Sequence, residues 1–382
     1  MNKLDLSGVS AMPSQVWGGI RLVPLVREAP VAGLRLHHEI YRHALGAVDV
    51  GPRTRYLSYI PHGFIADWSG DGGQSAAYGT QLAGSAPTGT DCVPIRLHHG
   101  LAKRRRQKGV TEKRLRFLPL HLALEGYLAL HFGGPSVIWD EWSQAAVRQG
   151  MSPRAEAAYA GWQVPGLGQA LRIFELHPRQ CGVLVYTADA LAAAFVVPHP
   201  DDYRALHPSL IEDLYGELVH QYAFYGGPVP AFDARIGGER HIRSLADLRA
   251  AARAQERSWT ENHDALMANR LLNPSYHFER VYRMGEFGLW RFLPSFGRGE
   301  PEQHIGEAIC DHKGRVAYLK TFRLSEAQIR RGHLLNGLYD HDWQLNRTAQ
   351  ALGIDRGQLV GRIHDAGFSS LLKHGVERAG RR

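Results

Sequence analysis

The chain has 382 residues, 44% of them hydrophobic, which is enough for two domains, or one large domain with an appendage, around a buried core. Lys and Arg number 45 against 37 Asp and Glu, a net charge of +8 with His neutral, and this balance favours polyanionic partners. The three cysteines, Cys92, Cys181 and Cys310, lie far apart with no CxxC pair, which argues against a disulfide framework or zinc ribbon and fits a reducing, cytoplasmic compartment.

The first residues carry no apolar export signal, and the most apolar later stretch, 117–132, is interrupted by Pro119, His121, Glu125, Gly126 and His131, so no membrane partner is expected. Residues 17–26, WGGIRLVPLV, and 53–68, RTRYLSYIPHGFIADW, have the alternating and aromatic positions of strands. Residues 69–91 are rich in Gly, Ser, Ala and Thr and predict a loop with at most one short strand. A strand over VPIRLHHG then precedes the basic run KRRRQK. Pro119 opens a mostly buried helix that Gly133 and Gly134 stop. LRIFELH and CGVLVYTA, separated by PRQ, read as a hairpin with AAAFVVP alongside. Helices are predicted over 209–225 and, from the cap Ser244 with its S-x-x-D box, over 244–272. Two hairpins follow, one turning near Gly285 and one on residues 311–314. Strands and helices mix without a regular βα alternation, so the fold class is α+β, with antiparallel hairpins in a large domain over 1–324.

From Ser325 the pattern turns purely helical, defining a second, all-α domain over 325–382 with nine Lys or Arg and six Asp or Glu. The first helix presents Ile329, Leu334, Leu335 and Leu338. The next starts near Asn346, taken as its cap, and turns Ala349 and Leu352 inward. Gly353 is suited to a left-handed turn, Ile354 plugs that turn, Asp355 caps a third helix with Leu359 and Ile363 inside, and Gly367 ends it. NRTAQALGIDRGQLVGRIHDAGF closely resembles the Fis-type helix-turn-helix at the C-terminus of bacterial enhancer-binding activators. The resemblance spans 334–372 and implies binding of double-stranded DNA as a dimer, with Arg356, Gln358 and Arg362 toward the groove and Arg347 and Thr348 toward phosphates. Gly357 and Gly361 depart from that pattern, each weakening the reading helix by about 1 kcal/mol relative to Ala. The Walker A motif of those activators is absent. The alternative is that the three helices pack on the large domain or dimerise without DNA.

In the large domain, PHPDD at 198–202 resembles the strand-end motif of LmbE-type zinc deacetylases, which would make His199 and Asp202 candidates for a metal site; the alternative is a proline-shaped turn with Asp201 or Asp202 capping a helix. His98 and His99 are neighbours on a strand and project to opposite faces, as do His62 and Asp67. Lys103, Arg104, Arg105 and Arg106 are candidate phosphate contacts or a solvated loop. No GxSxG, HExxH or GxGxxG motif is present, no catalytic residue or metal ligand set stands out and no cofactor is expected. WGGIRLVPL, RTRYLSYIPHGFIADW, RLRFLPLHLALEGYLALHFGGP and HPDDYRALHPSLIEDLYGELVHQYAFY resemble the bacterial family named for its association with ADP-ribosylglycohydrolases and rhodanese-phosphatases (ARPP), over about 8–225. That name records gene neighbourhood and carries over no site residues. The expected function is a DNA-binding transcriptional regulator whose large domain senses a signal or a protein partner. The alternatives are a metal-dependent hydrolase of a small or ADP-ribose-like substrate and a non-enzymatic adaptor.

Overall fold

The computed structural model describes residues 2–37, 66–68, 176–207, 219–231, 236, 241–266, 268–300, 302–369 and 372, with the backbone of short strands between 39 and 117. The helix expected after Pro119, residues 171–175, the start of the helix from Ser209, His62, His98, His99 and Lys103, Arg104, Arg105 and Arg106 lie outside the described residues.

A nine-stranded sheet organises the rest. Its strands are β1 (Val9–Ala11), β2 (Gln15–Trp17), β3 (Ile20–Arg27), β4 (Gln180–Thr187), β5 (Ala190–Val196), β6 (His277–Met284), β7 (Phe287–Leu293), β8 (His304–Cys310) and β9 (Val316–Arg323). The order is β1-β3-β4-β5-β9-β8-β7-β6, with β2 also paired to β3, and every ladder is antiparallel. β3 and β4 are buried along their whole length, as suits the apolar runs 22–26 and 183–186 at their centres, and Arg21, Arg27, Gln180 and Thr187 toward their ends are buried with them. β6 at one edge is largely exposed and carries His277, Glu279, Arg280 and Arg283, charges that discourage pairing with another chain. Pro24 sits inside β3 with no N–H to donate. β1 pairs with residues 25–27 and β2 with residues 20–22, so the break between them falls opposite it.

LRIFELH, expected as the hairpin partner of CGVLVYTA, lies mostly outside the described residues, and β4 pairs on its two edges with β3 and β5. The hairpin it does make is with β5, through Ala188 and Asp189 at φ 46° and 60°, the left-handed pair of a two-residue turn whose twist matches the strands. Arg21 ties that turn to β3: its Nε donates to Asp189 Oδ1 at 2.7 Å, Nη1 to Ser14 Oγ at 2.8 Å and Nη2 to Pro230 O at 2.9 Å. The hairpins β6–β7 and β8–β9 turn where the sequence places them, with Gly285 and Gly314 in the left-handed region. Smaller pairings involve the short strands. Phe64–Asp67 lies between Arg35–His37 and Ser75–Tyr78, and Gln81–Leu82 pairs with the latter, so the described residues of 69–91 include two short strands where at most one was expected.

The helix expected over 244–272 is two, α2 (Leu245–Leu266) and α3 (Asn269–Leu272), following α1 over residues 200–207. Asp247 N donates to Ser244 Oγ at 3.1 Å as the box predicts. α2 is anchored by its C-terminal half: Thr260 Oγ1 donates to Ala11 O at 2.9 Å, and His263 lies 2.7 Å from the Tyr186 hydroxyl and stacks on Trp259.

The middle of the sheet also buries charge. Glu307 and Lys320 face each other across β8 and β9 at 3.4 Å, each 2% exposed. Opposite Arg323, His304 is fully buried with neither ring nitrogen hydrogen-bonded among the described residues, and burial pushes it down to about 3. Mixed helix and strand around an antiparallel sheet is the α+β architecture in its coarse form. No helix among the described residues is long and apolar enough to cross a membrane.

Candidate nucleic-acid interface

β9 ends at Arg323 and, after two intervening residues, α4 (Glu326–Asp340) begins, closed by a reciprocal capping box: Ser325 Oγ accepts from Gln328 N and Gln328 Oε1 accepts from Ser325 N at 2.8 Å. α4 rests on the sheet domain at Gly332, where any Cβ would overlap the ring of Phe296, a fully buried residue in the loop after β7. The chain then turns through Asp342 and Trp343 at φ 52° and 61°, two left-handed residues with no glycine to mark them. Trp343 N donates to Leu338 O at 2.8 Å, and the indole packs against the core.

α5 (Leu345–Ala351) follows with Gln344 at its cap and no side-chain cap bond, so Asn346 lies inside the first turn instead of capping it. Gly353 holds φ 65° and nothing lies within 4 Å of where its Cβ would be, so backbone conformation, and not space, requires the glycine. α6 (Arg356–Asp365) opens on Asp355, whose carboxylate accepts from Gln358 N at 2.8 Å while Gln358 Oε1 accepts from Asp355 N at 3.3 Å. Leu335, Leu338, Ala349, Leu359, Ile363 and Phe368 form the shared interior. Phe368 closes it after the left-handed Gly367, donating from its N–H to Ile363 O at 2.9 Å.

Among the expected contacts, Arg347, Arg356, Gln358 and Arg362 are exposed. Thr348 is a correction: it is completely buried, and its hydroxyl donates to Gln344 O at 3.0 Å, so it has no surface to offer a phosphate. Arg356 and Arg362 do not share a face. At 3.6 residues per turn they lie roughly 120° apart, on opposite sides of the buried Leu359 and Ile363. Between them the solvent side of α6 carries Gly357, Gly361, His364 and Asp365. Gln358 already gives its side-chain carbonyl to the cap, so bidentate reading of a base would break that bond. Arg362 lines a groove against α4. The left-handed Asp342–Trp343 turn and the groove were missed from sequence. The first has no glycine, and the second brings together residues from distant segments.

The His199 and Asp202 pair is not arranged as a metal site. His199 Nδ1 accepts the Asp201 N–H at 3.1 Å at the start of α1. Asp202 is buried and held by Arg35, whose Nε lies 2.9 Å from Oδ1, and by Leu36 N at 3.0 Å from Oδ2. Its carboxylate ties α1 to the strand Arg35–His37, and Arg35 is raised above its ordinary value chiefly by that bond. Among the described residues no group of three His, Cys, Asp or Glu is placed to hold a metal ion. Cys181 and Cys310 are buried thiols pushed up to about 11 and about 12, chiefly by desolvation, which leaves them poor nucleophiles in the fold.

No curated protein and no solved structure matches the chain. A family model, ARPP-2, matches residues 4–285. That span ends in the β6–β7 turn, although β9 beyond it is inserted between β5 and β8, so the sheet closes only with residues past the matched region. With well over half its length matched, the chain belongs to the ARPP-2 family.

Proposed function

We propose that this protein is a dimeric, cytoplasmic DNA-binding regulator in which α5, the Gly353 turn and α6 meet duplex DNA while the sheet domain receives a signal or a partner. The observation that carries the reading is local: two short helices joined by a left-handed glycine, Ala349 buried where they cross, and Arg356 exposed in the first turn of the second helix. Arg347 on α5 and Arg356 on α6 supply the phosphate contacts, and the Gln358 amide at the N-terminal end of α6 supplies the polar contact to base edges.

With Gly357 and Gly361 on the solvent side of α6, affinity rests more on backbone phosphates than on base edges, so it should be salt-dependent and only partly sequence-specific. Fluorescence polarisation of the full chain on duplex DNA from its own promoter tests this. The double variant Arg347→Ala with Arg356→Ala should lower affinity and flatten the plot of log K against log salt by about 2, one unit per lost phosphate contact. Unchanged affinity and slope would remove the regulator reading. The Asp365 carboxylate on the same side of α6 favours a second reading, an adaptor that binds protein through α6, and pull-down with and without nuclease separates the two.

A further inference from the structure

A groove of about 340 Å³ lies between α4, the end of α6 and the loop after β7. Four guanidinium groups line it, Arg298 from the sheet domain, Arg330 and Arg331 from α4 and Arg362 from α6, against a single carboxylate, Asp365. Glu326 pairs with Arg330 at 3.7 Å, both largely exposed, while Arg298 and Arg362 make no ion pair among the described residues. At the junction Gly332 packs against the ring of Phe296. Leu334 and Leu352 add apolar surface to the lining. His333 beside the groove is held below the ordinary imidazole range first by burial and then by Arg298, with Arg362 adding, so both cations act on the same spot.

Like charges gathered from three separate segments repel one another unless an anion sits among them. We propose that this groove binds a pair of neighbouring phosphate groups, held between Arg298 of the sheet domain and Arg362 of α6. Four guanidinium groups against the two carboxylates of Asp365 and Glu326 leave a net +2, a charge that two backbone phosphodiesters at roughly −2 match and a small diphosphate at roughly −3 near neutral pH exceeds. Guanidinium forks also suit paired phosphate oxygens better than ammonium groups do. Because the two arginines come from different domains, the bound anion would staple the helices to the sheet. The inference does not depend on DNA reading by Arg347 and Arg356. Paired phosphates can come from a small diphosphate or from a nucleic-acid backbone.

The test is calorimetric titration and thermal unfolding of the full chain with pyrophosphate, using sulfate at matched ionic strength as the reference. Saturable binding and a rise in Tm with pyrophosphate above that with sulfate are expected. Arg298→Ala should weaken pyrophosphate by about tenfold, the loss of one charge-assisted hydrogen bond. Asp365→Asn should tighten it several-fold, a gain that a damaged fold cannot mimic. Equal responses to pyrophosphate and sulfate, or unchanged affinity in both variants, would overturn the proposal. Displacement of pyrophosphate by a DNA duplex identifies the backbone as the source; saturable binding that a duplex leaves undisturbed identifies a free diphosphate. Pyrophosphate binding without any DNA binding would leave the groove standing and sink the regulator reading, and DNA binding without pyrophosphate binding would do the reverse.

Discussion

The nine-stranded sheet and the C-terminal helices hold themselves together over opposite distances in sequence. In the sheet the decisive contacts are remote: Arg21 reaches Asp189 across 168 positions, and Arg27 Nη2 donates to Val316 O across 289. In the helices they are adjacent: Ser325 with Gln328, Asp355 with Gln358 and Thr348 with Gln344 are three or four residues apart. The difference teaches where each region is vulnerable. The sheet depends on burial that no single segment supplies, whereas the helices depend on caps and a glycine turn and meet the sheet domain closely where Gly332 packs on Phe296.

If the sheet is the region that tolerates no unpaired charge, Lys320→Ala should be the most damaging change, because it leaves the Glu307 carboxylate buried with its cation gone. A loss of about 3–5 kcal/mol is expected by denaturant unfolding, and Lys320→Met combined with Glu307→Leu should recover most of it.

Acid should act on the sheet domain next. His304 and His207 are pushed down to about 3 and about 4 by burial, so both are neutral in the fold. Between those values and 6.5 the unfolded chain binds more protons, so stability falls as pH drops through that window and levels off below it. Each group contributes a slope of at most about 1.4 kcal/mol per pH unit. Unfolding curves taken from pH 7 to pH 4 should steepen this way, and His304→Leu should flatten the slope; an equal slope in that variant would place the acid sensitivity elsewhere.

The seat between the two regions should give the smallest change. Gly332→Ala pushes a methyl group into Phe296, costing about 1–3 kcal/mol of docking, partly offset by the roughly 1 kcal/mol by which Ala favours a helix over Gly. Limited proteolysis near Ser325 should speed up in this variant while the far-ultraviolet circular dichroism stays helical. Loss of helix instead would show that the three helices do not stand without the sheet.

The candidate interface was readable to the extent that its signals are short in range. Ser325 and Asp355 cap their helices as their types demand, and Gly353 and Gly367 take the left-handed conformations that end α5 and α6. The placement of Thr348 failed because a threonine four residues from Gln344 can turn its hydroxyl back onto the helix backbone, and only the packing of α4 against α5 decides that it does. The sequence offers Asp202 either as a metal ligand after a histidine and a proline or as the cap of a proline-shaped turn, and it is neither. Its partner Arg35 lies 167 residues earlier, beyond the reach of any spacing rule.

By itself the sequence determined the local pieces of this protein: the hairpins β6–β7 and β8–β9, the caps of α4 and α6 and the glycine hinge between α5 and α6. Each depends on backbone preferences and hydrogen bonds a few residues long, which residue type alone biases. Only the tertiary structure decided that β9 lies against β5, that β4 is enclosed by β3 and β5, and that four arginines from three segments meet in one groove. Ladder hydrogen bonds join backbone to backbone whatever the side chains, so strand order is chosen by the burial of whole faces and not by any motif.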